Sequence, residues 1–117
     1  MITTHLPPAE NAPIACTMPV GEMGGRMREF HKLFAAHLRS IAREPRRLRL
    51  GLDSGHGLDA TVRDLMAREH ECCAFADIAI RSDGDGLMIE IGVPEGAEGA
   101  LDGFAYVAET AAPRVVR

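Results

Sequence analysis

Apolar and polar positions alternate along this chain with two different periods. Met23, Met27, Phe30, Phe34, Leu38 and Ile41 recur at three- and four-residue intervals, which predicts an amphipathic helix over Glu22 to Arg43. Gly24 and Gly25 weaken its first turn, and Pro45 stops it. Leu48, Leu50 and Leu52 then alternate with Arg47, Arg49 and Gly51, the pattern of a half-buried strand. Leu58, Val62, Leu65 and Met66 return to helical spacing, in a helix from Leu58 to about Cys73. Two period-two runs follow, Phe75 to Arg81 and Leu87 to Val93, joined by S-D-G-D-G as a β-hairpin. Leu101, Phe104, Ala105, Ala108 and Ala111 mark a third helix. Residues 1 to 13 hold three prolines and few apolar groups and are expected to form a flexible tail. Ile14 to Met18 fits a short strand or an extended arm. The expectation is one α+β domain over residues 14 to 117. Its antiparallel or mixed sheet would have three to four strands, with three helices packed mainly on one face.

The second helix carries the anomaly. Its apolar stripe, continued by one turn, reaches Glu69, with Cys72 and Cys73 on either side of the same face. An unpaired buried carboxylate costs several kcal/mol, so Glu69 needs a partner, a proton or a metal. Two ordinary readings compete with a functional one. The helix could fray before Glu69, or a buried arginine such as Arg26 could pair with it. The adjacent cysteines divide in the same way. They pack well as small apolar side chains, yet Glu69, His70, Glu71, Cys72 and Cys73 crowd several ligands or proton carriers together. H-x-C-C is not a zinc-ribbon spacing. Cys16, in I-A-C-T-M, could add a third thiolate.

Composition narrows the setting. A net charge of −4 argues against general affinity for nucleic acid. Arginines cluster between Arg39 and Arg49 whereas acidic residues fill the last third, so the two are expected to pair. With four Phe, one Tyr and no Trp, the core is thin and aliphatic, which makes a homodimer an option. No apolar run approaches the ~18 residues of a membrane helix, and the N-terminus lacks the basic flank and apolar stretch of a signal peptide. The expected location is the cytoplasm, where three cysteines suggest free thiols, a metal site or thiol chemistry. No Ser-His-Asp order, HExxH or dinucleotide fingerprint is present, and S-D-G-D-G falls short of a calcium loop.

Three short elements in order, I-A-C-T-M, E-x-x-C-C-x-F and P-E-G-A, resemble a small bacterial family. Its usual pattern is close to I-A-C-T-L, then E-x-x-C-C-P-F, then G-P-E-G-A. Such proteins stand alone or lie beside MerR-type metal-responsive regulators. The resemblance marks Cys16, Glu69, Cys72, Cys73 and Phe75, and implies a part in metal or thiol stress with no named reaction. Ala74 stands where the family usually has proline.

The leading expectation is a soft-metal or metalloid binding protein. Cys16, Cys72 and Cys73 would be ligands, and Glu69 and His70 would support them or add to them. Zinc, copper(I), mercury(II) or a trivalent metalloid suits such thiolates. One alternative is a thiol-dependent enzyme, for redox exchange or metal–carbon bond cleavage, with Glu69, Cys72 and Cys73 catalytic. Another is a structural or regulatory module that dimerises or meets a metal-responsive regulator, its cysteines merely buried.

Overall fold

The computed structural model describes residues 3–16 and 20–115. Eight elements follow one another. They are β1 (Thr4–Leu6), α1 (Val20–His37), β2 (Leu38–Glu44), β3 (Arg47–Leu52), α2 (Leu58–Cys72), β4 (Asp77–Asp83), β5 (Gly86–Gly92) and α3 (Glu98–Ala111). The strands form one antiparallel sheet in the order β1-β4-β5-β3-β2. Among the described residues the fold is therefore α+β with three helices, and the sheet has five strands, all antiparallel, where three to four were expected.

Register explains the core. Across the sheet, Ile80 faces Ile89, Ile89 faces Leu50, and Leu50 faces Ile41. One row over, Ile78, Ile91 and Leu48 are paired in the same way. Side chains alternate between faces along a strand, so these residues share one face and are buried with the apolar stripes of the helices. The opposite face of β3, β4 and β5 carries Arg49, Arg81 and Glu90. Glu90 is ion-paired there to Arg47, Arg49 and Arg81. Arg43 reaches Asp102 of α3 at 2.9 Å. The early arginines thus do meet acidic groups of the last third.

The first helix is shorter than its apolar spacing predicts. It ends at His37, and Leu38–Glu44 is strand β2, with Pro45 in the tight turn to β3. The misleading spacing arises from a register shift between Leu38 and Ser40, where Leu38 pairs with Leu52 and Ser40 with Gly51. An inserted residue of this kind puts positions three apart on the same face, so Leu38 and Ile41 are both buried while imitating helical spacing.

The N-terminal segment is the second departure. Thr4, His5 and Leu6 pair with Ile80, Ala79 and Ile78 as an edge strand, where a tail was expected. Three residues are too few for periodicity to reveal. His5 Nε2 lies 2.5 Å from Asp77 Oδ1, and the Ala9 N–H donates to the Ala74 carbonyl at 2.7 Å. Ile14 and Ala15 form a bend rather than a strand, and Thr17 and Met18 lie outside the described residues.

Gly86 opens β5 beneath the end of β3. A Cβ built on it would stand 2.1 Å from the Leu52 carbonyl oxygen, whereas one on Gly103 of α3 would meet nothing within 4 Å. Gly86→Ala is therefore expected to destabilise the protein by about 1–3 kcal/mol through backbone overpacking. Gly103→Ala should be neutral or stabilising, because alanine is the better helix former. Denaturant midpoints of the two variants check both signs.

Candidate functional site

The end of α2 carries the chemistry. Leu58, Val62, Leu65, Met66 and Glu69 are its buried residues, and the helix runs intact through Glu69 to Cys72. Glu69 is 5% exposed. Its Oε1 accepts a hydrogen bond from Arg26 Nη1 at 2.7 Å, so the buried carboxylate has the arginine partner that α1 could offer. Its other oxygen, Oε2, accepts the Cys73 thiol at 3.6 Å. The Cys73 N–H also donates to the Glu69 carbonyl, at 2.8 Å. Cys73 is thus held twice by the residue one turn earlier.

Because α2 stops at Cys72, the two adjacent cysteines diverge. Cys73 lines a cleft of about 450 Å³, with Cys16 and Glu69 also in its wall. Cys72 is half-buried outside that lining, within reach of Arg26. Cys16 is exposed on the N-terminal segment and lines the same cleft as Cys73. Pairing of β1 with β4 and the Ala9–Ala74 bond bring this segment back to the end of α2. Sequence alone could not establish that approach.

Burial pushes the Cys73 thiol well above the ordinary value of 9.0, and the Glu69 charge pushes it further. Burial raises the Cys72 thiol too, against the pull of Arg26. His70 has a different occupation, with its Nε2 3.1 Å from the Ala76 carbonyl, where it ties the helix end to the approach of β4. Among the described residues, no group of three or more His, Cys, Asp and Glu side chains is arranged to hold a metal ion. The structure does bring together two thiols and a carboxylate.

Met23, Met27 and Phe30 of α1 and Phe104 of α3 form apolar walls. The sequence pattern assigns Met23 and Met27 to the core, yet they are 42% and 39% exposed at the cleft. Gly99 and Gly103, one turn apart on α3, complete the wall opposite α1. Periodicity read from apolar residues passes over them. Their four-residue spacing was the available signal.

No protein-family model matches the chain, and no curated protein or solved structure shows significant similarity to it. Among the described residues, no helix is long and apolar enough to cross a membrane.

Two outcomes test this geometry. Arg26→Met leaves Glu69 buried without its cation and should cost about 3–5 kcal/mol in chemical denaturation, most of it recovered when Glu69→Gln is added. Raised folded-state thiol values make Cys73 stabilising only while it is protonated. That contribution is complete below pH 9.0 and lost as pH rises toward the folded value. Iodoacetamide should accordingly label Cys16 well ahead of Cys73 at neutral pH, as peptide mapping of the alkylated native protein would read directly.

Proposed function

We propose that the protein binds a soft metal or metalloid cation through the thiolates of Cys16 and Cys73. One observation carries the reading: two free thiols share the lining of one cleft with a carboxylate already bonded to one of them. Binding breaks each S–H bond and forms an S–metal bond. The Cys73 proton passes to Glu69 and on to water, and the Cys16 proton passes to water directly. Mercury(II) and copper(I) accept two sulfur ligands, so they fit this pair better than zinc, which takes four. Cys72 stands close by as a third thiol, suited to a trivalent metalloid.

The thiol-enzyme alternative is less well supported. A nucleophilic or redox-active cysteine works as a thiolate, which calls for a lowered pKa. Burial moves Cys72 and Cys73 the other way. Metal binding tolerates this, because the cation itself displaces the proton. The setting that the sequence resemblance implies, metal or thiol stress, agrees with this choice.

Titration of the reduced protein with mercury(II) and copper(I) against a competing chelator is the test. The expected result is one ion per chain. Cys16→Ser and Cys73→Ser should each weaken binding by more than the roughly 10–100-fold typical of losing a supporting partner. Cys72→Ser should stay within that range. Unchanged affinity in both single variants would overturn the reading.

A further inference from the structure

A bare ion bound by two sulfurs needs little room. A water molecule occupies about 30 Å³ in the liquid, whereas pockets for small organic ligands span about 300–1,000 Å³. The cleft holds about 450 Å³ and belongs to the second class. Its chemistry is also divided. Cys73 and Glu69, bonded to each other, form a thiol pole with Cys16 in the same lining, and the remaining wall is mainly aliphatic, aromatic and thioether. Large apolar side chains gather at this opening, with Ile14, Met23 and Met27 exposed by 52%, 42% and 39%.

The space is also maintained at a cost. Gly99 and Gly103 lie in the cleft wall within α3, and a Cβ on either would meet nothing within 4 Å. Nothing steric demands glycine there, and Gly103, inside the helix, costs it about 0.8–1.0 kcal/mol relative to alanine. Both glycines are exposed, so larger residues there would project over the mouth of the cleft.

We propose that the cleft's ligand is an alkyl or aryl derivative of a soft metal or metalloid, its cationic centre on the thiol pole and its organic group between Met23, Met27 and the α3 glycines. This rests on the thiolate-binding reading above and names its ligand class. In the binding step the Cys73 S–H bond breaks and an S–metal bond forms, while the labile counter-ligand leaves the metal. The proton goes to Glu69 and then to water. The metal–carbon bond is untouched, and no atom changes oxidation state.

The experiment compares mercury(II) chloride with phenylmercury(II) chloride, each titrated into the reduced full-length protein against a competing small thiol. Three proteins are used: wild type, Gly103→Leu and Cys73→Ser. Leucine adds a side chain to the wall and favours the helix, and circular dichroism verifies the fold. The expected result is a selective loss in Gly103→Leu. Phenylmercury binding should fall by roughly 10–200-fold, the scale on which an apolar pocket discriminates, while mercury(II) binding is unchanged. Cys73→Ser should lose both. If Gly103→Leu affects both ligands equally or neither, the organic group does not occupy the cleft and the inference is overturned. Wild type that binds mercury(II) but not phenylmercury overturns it as well, with the thiolate reading intact. Wild type that binds neither overturns both.

Discussion

The buried pair between Arg26 and Glu69 is the constraint on which the rest of this site depends. The two side chains are 13% and 7% exposed and meet at 2.7 Å, so each would be stranded without the other. The pair also fixes which face of α1 turns toward the cleft. Met23 and Phe30 lie three before and four after Arg26, hence on the arginine's own side of the helix, and Met27 stacks between them at four and three residues' spacing. Locking Arg26 onto α2 therefore places the apolar wall. The carboxylate meanwhile divides its two oxygens, one for the arginine and one for the Cys73 thiol. A single acidic residue serves the packing of α1 on α2 and the chemistry of the cleft.

The other wall follows from aromatic packing and from residues of minimal size. Phe30 meets Phe104 edge to face, ring centroids 5.4 Å apart, which pins α3 to α1. Beside that contact α3 offers Gly99 and Gly103, and the helices do not close on each other there. Stability alone would favour larger side chains, as it generally does at sites shaped for function. The sheet enters indirectly. Its inner rows of isoleucine and leucine hold the helices, and its edge strand β1 returns the N-terminal segment so that Cys16 joins Cys73 in the cleft wall.

Much of this architecture was legible in the sequence, and the failures share a physical origin. Both period-two runs of the β4–β5 hairpin, α2 and α3 are where their spacing puts them, because long regular patterns leave little choice of face. Leu38 and Ile41 misled because an irregular register imitates helical spacing in a strand. Thr4 to Leu6 escaped because a three-residue edge strand is held by pairing rather than by burial of a stripe. Glu69 stood out from its stripe alone, and Arg26 could be named as a partner from charge and burial. What no pattern could supply was distance: the approach of Cys16, the turning apart of Cys72 and Cys73, and the empty volume beside the glycines.

Charge counting sharpens the choice of ligand. Arg26 and Glu69 cancel each other, and burial favours the protonated Cys73 thiol, so these three groups at the thiol pole carry no net charge before binding. Exchange of two thiol protons for a divalent cation preserves that neutrality. So does exchange of one proton for a monovalent organometal cation. Copper(I) on two thiolates would leave one uncompensated negative charge against Phe30 and Phe104, in surroundings that penalise unpaired charge by several kcal/mol. A second negative charge beside Glu69 would add repulsion to desolvation. Among cations that accept two sulfurs, the same low polarity that raises the Cys73 thiol therefore ranks mercury(II) above copper(I), and it equally admits a monovalent organometal cation on one thiolate.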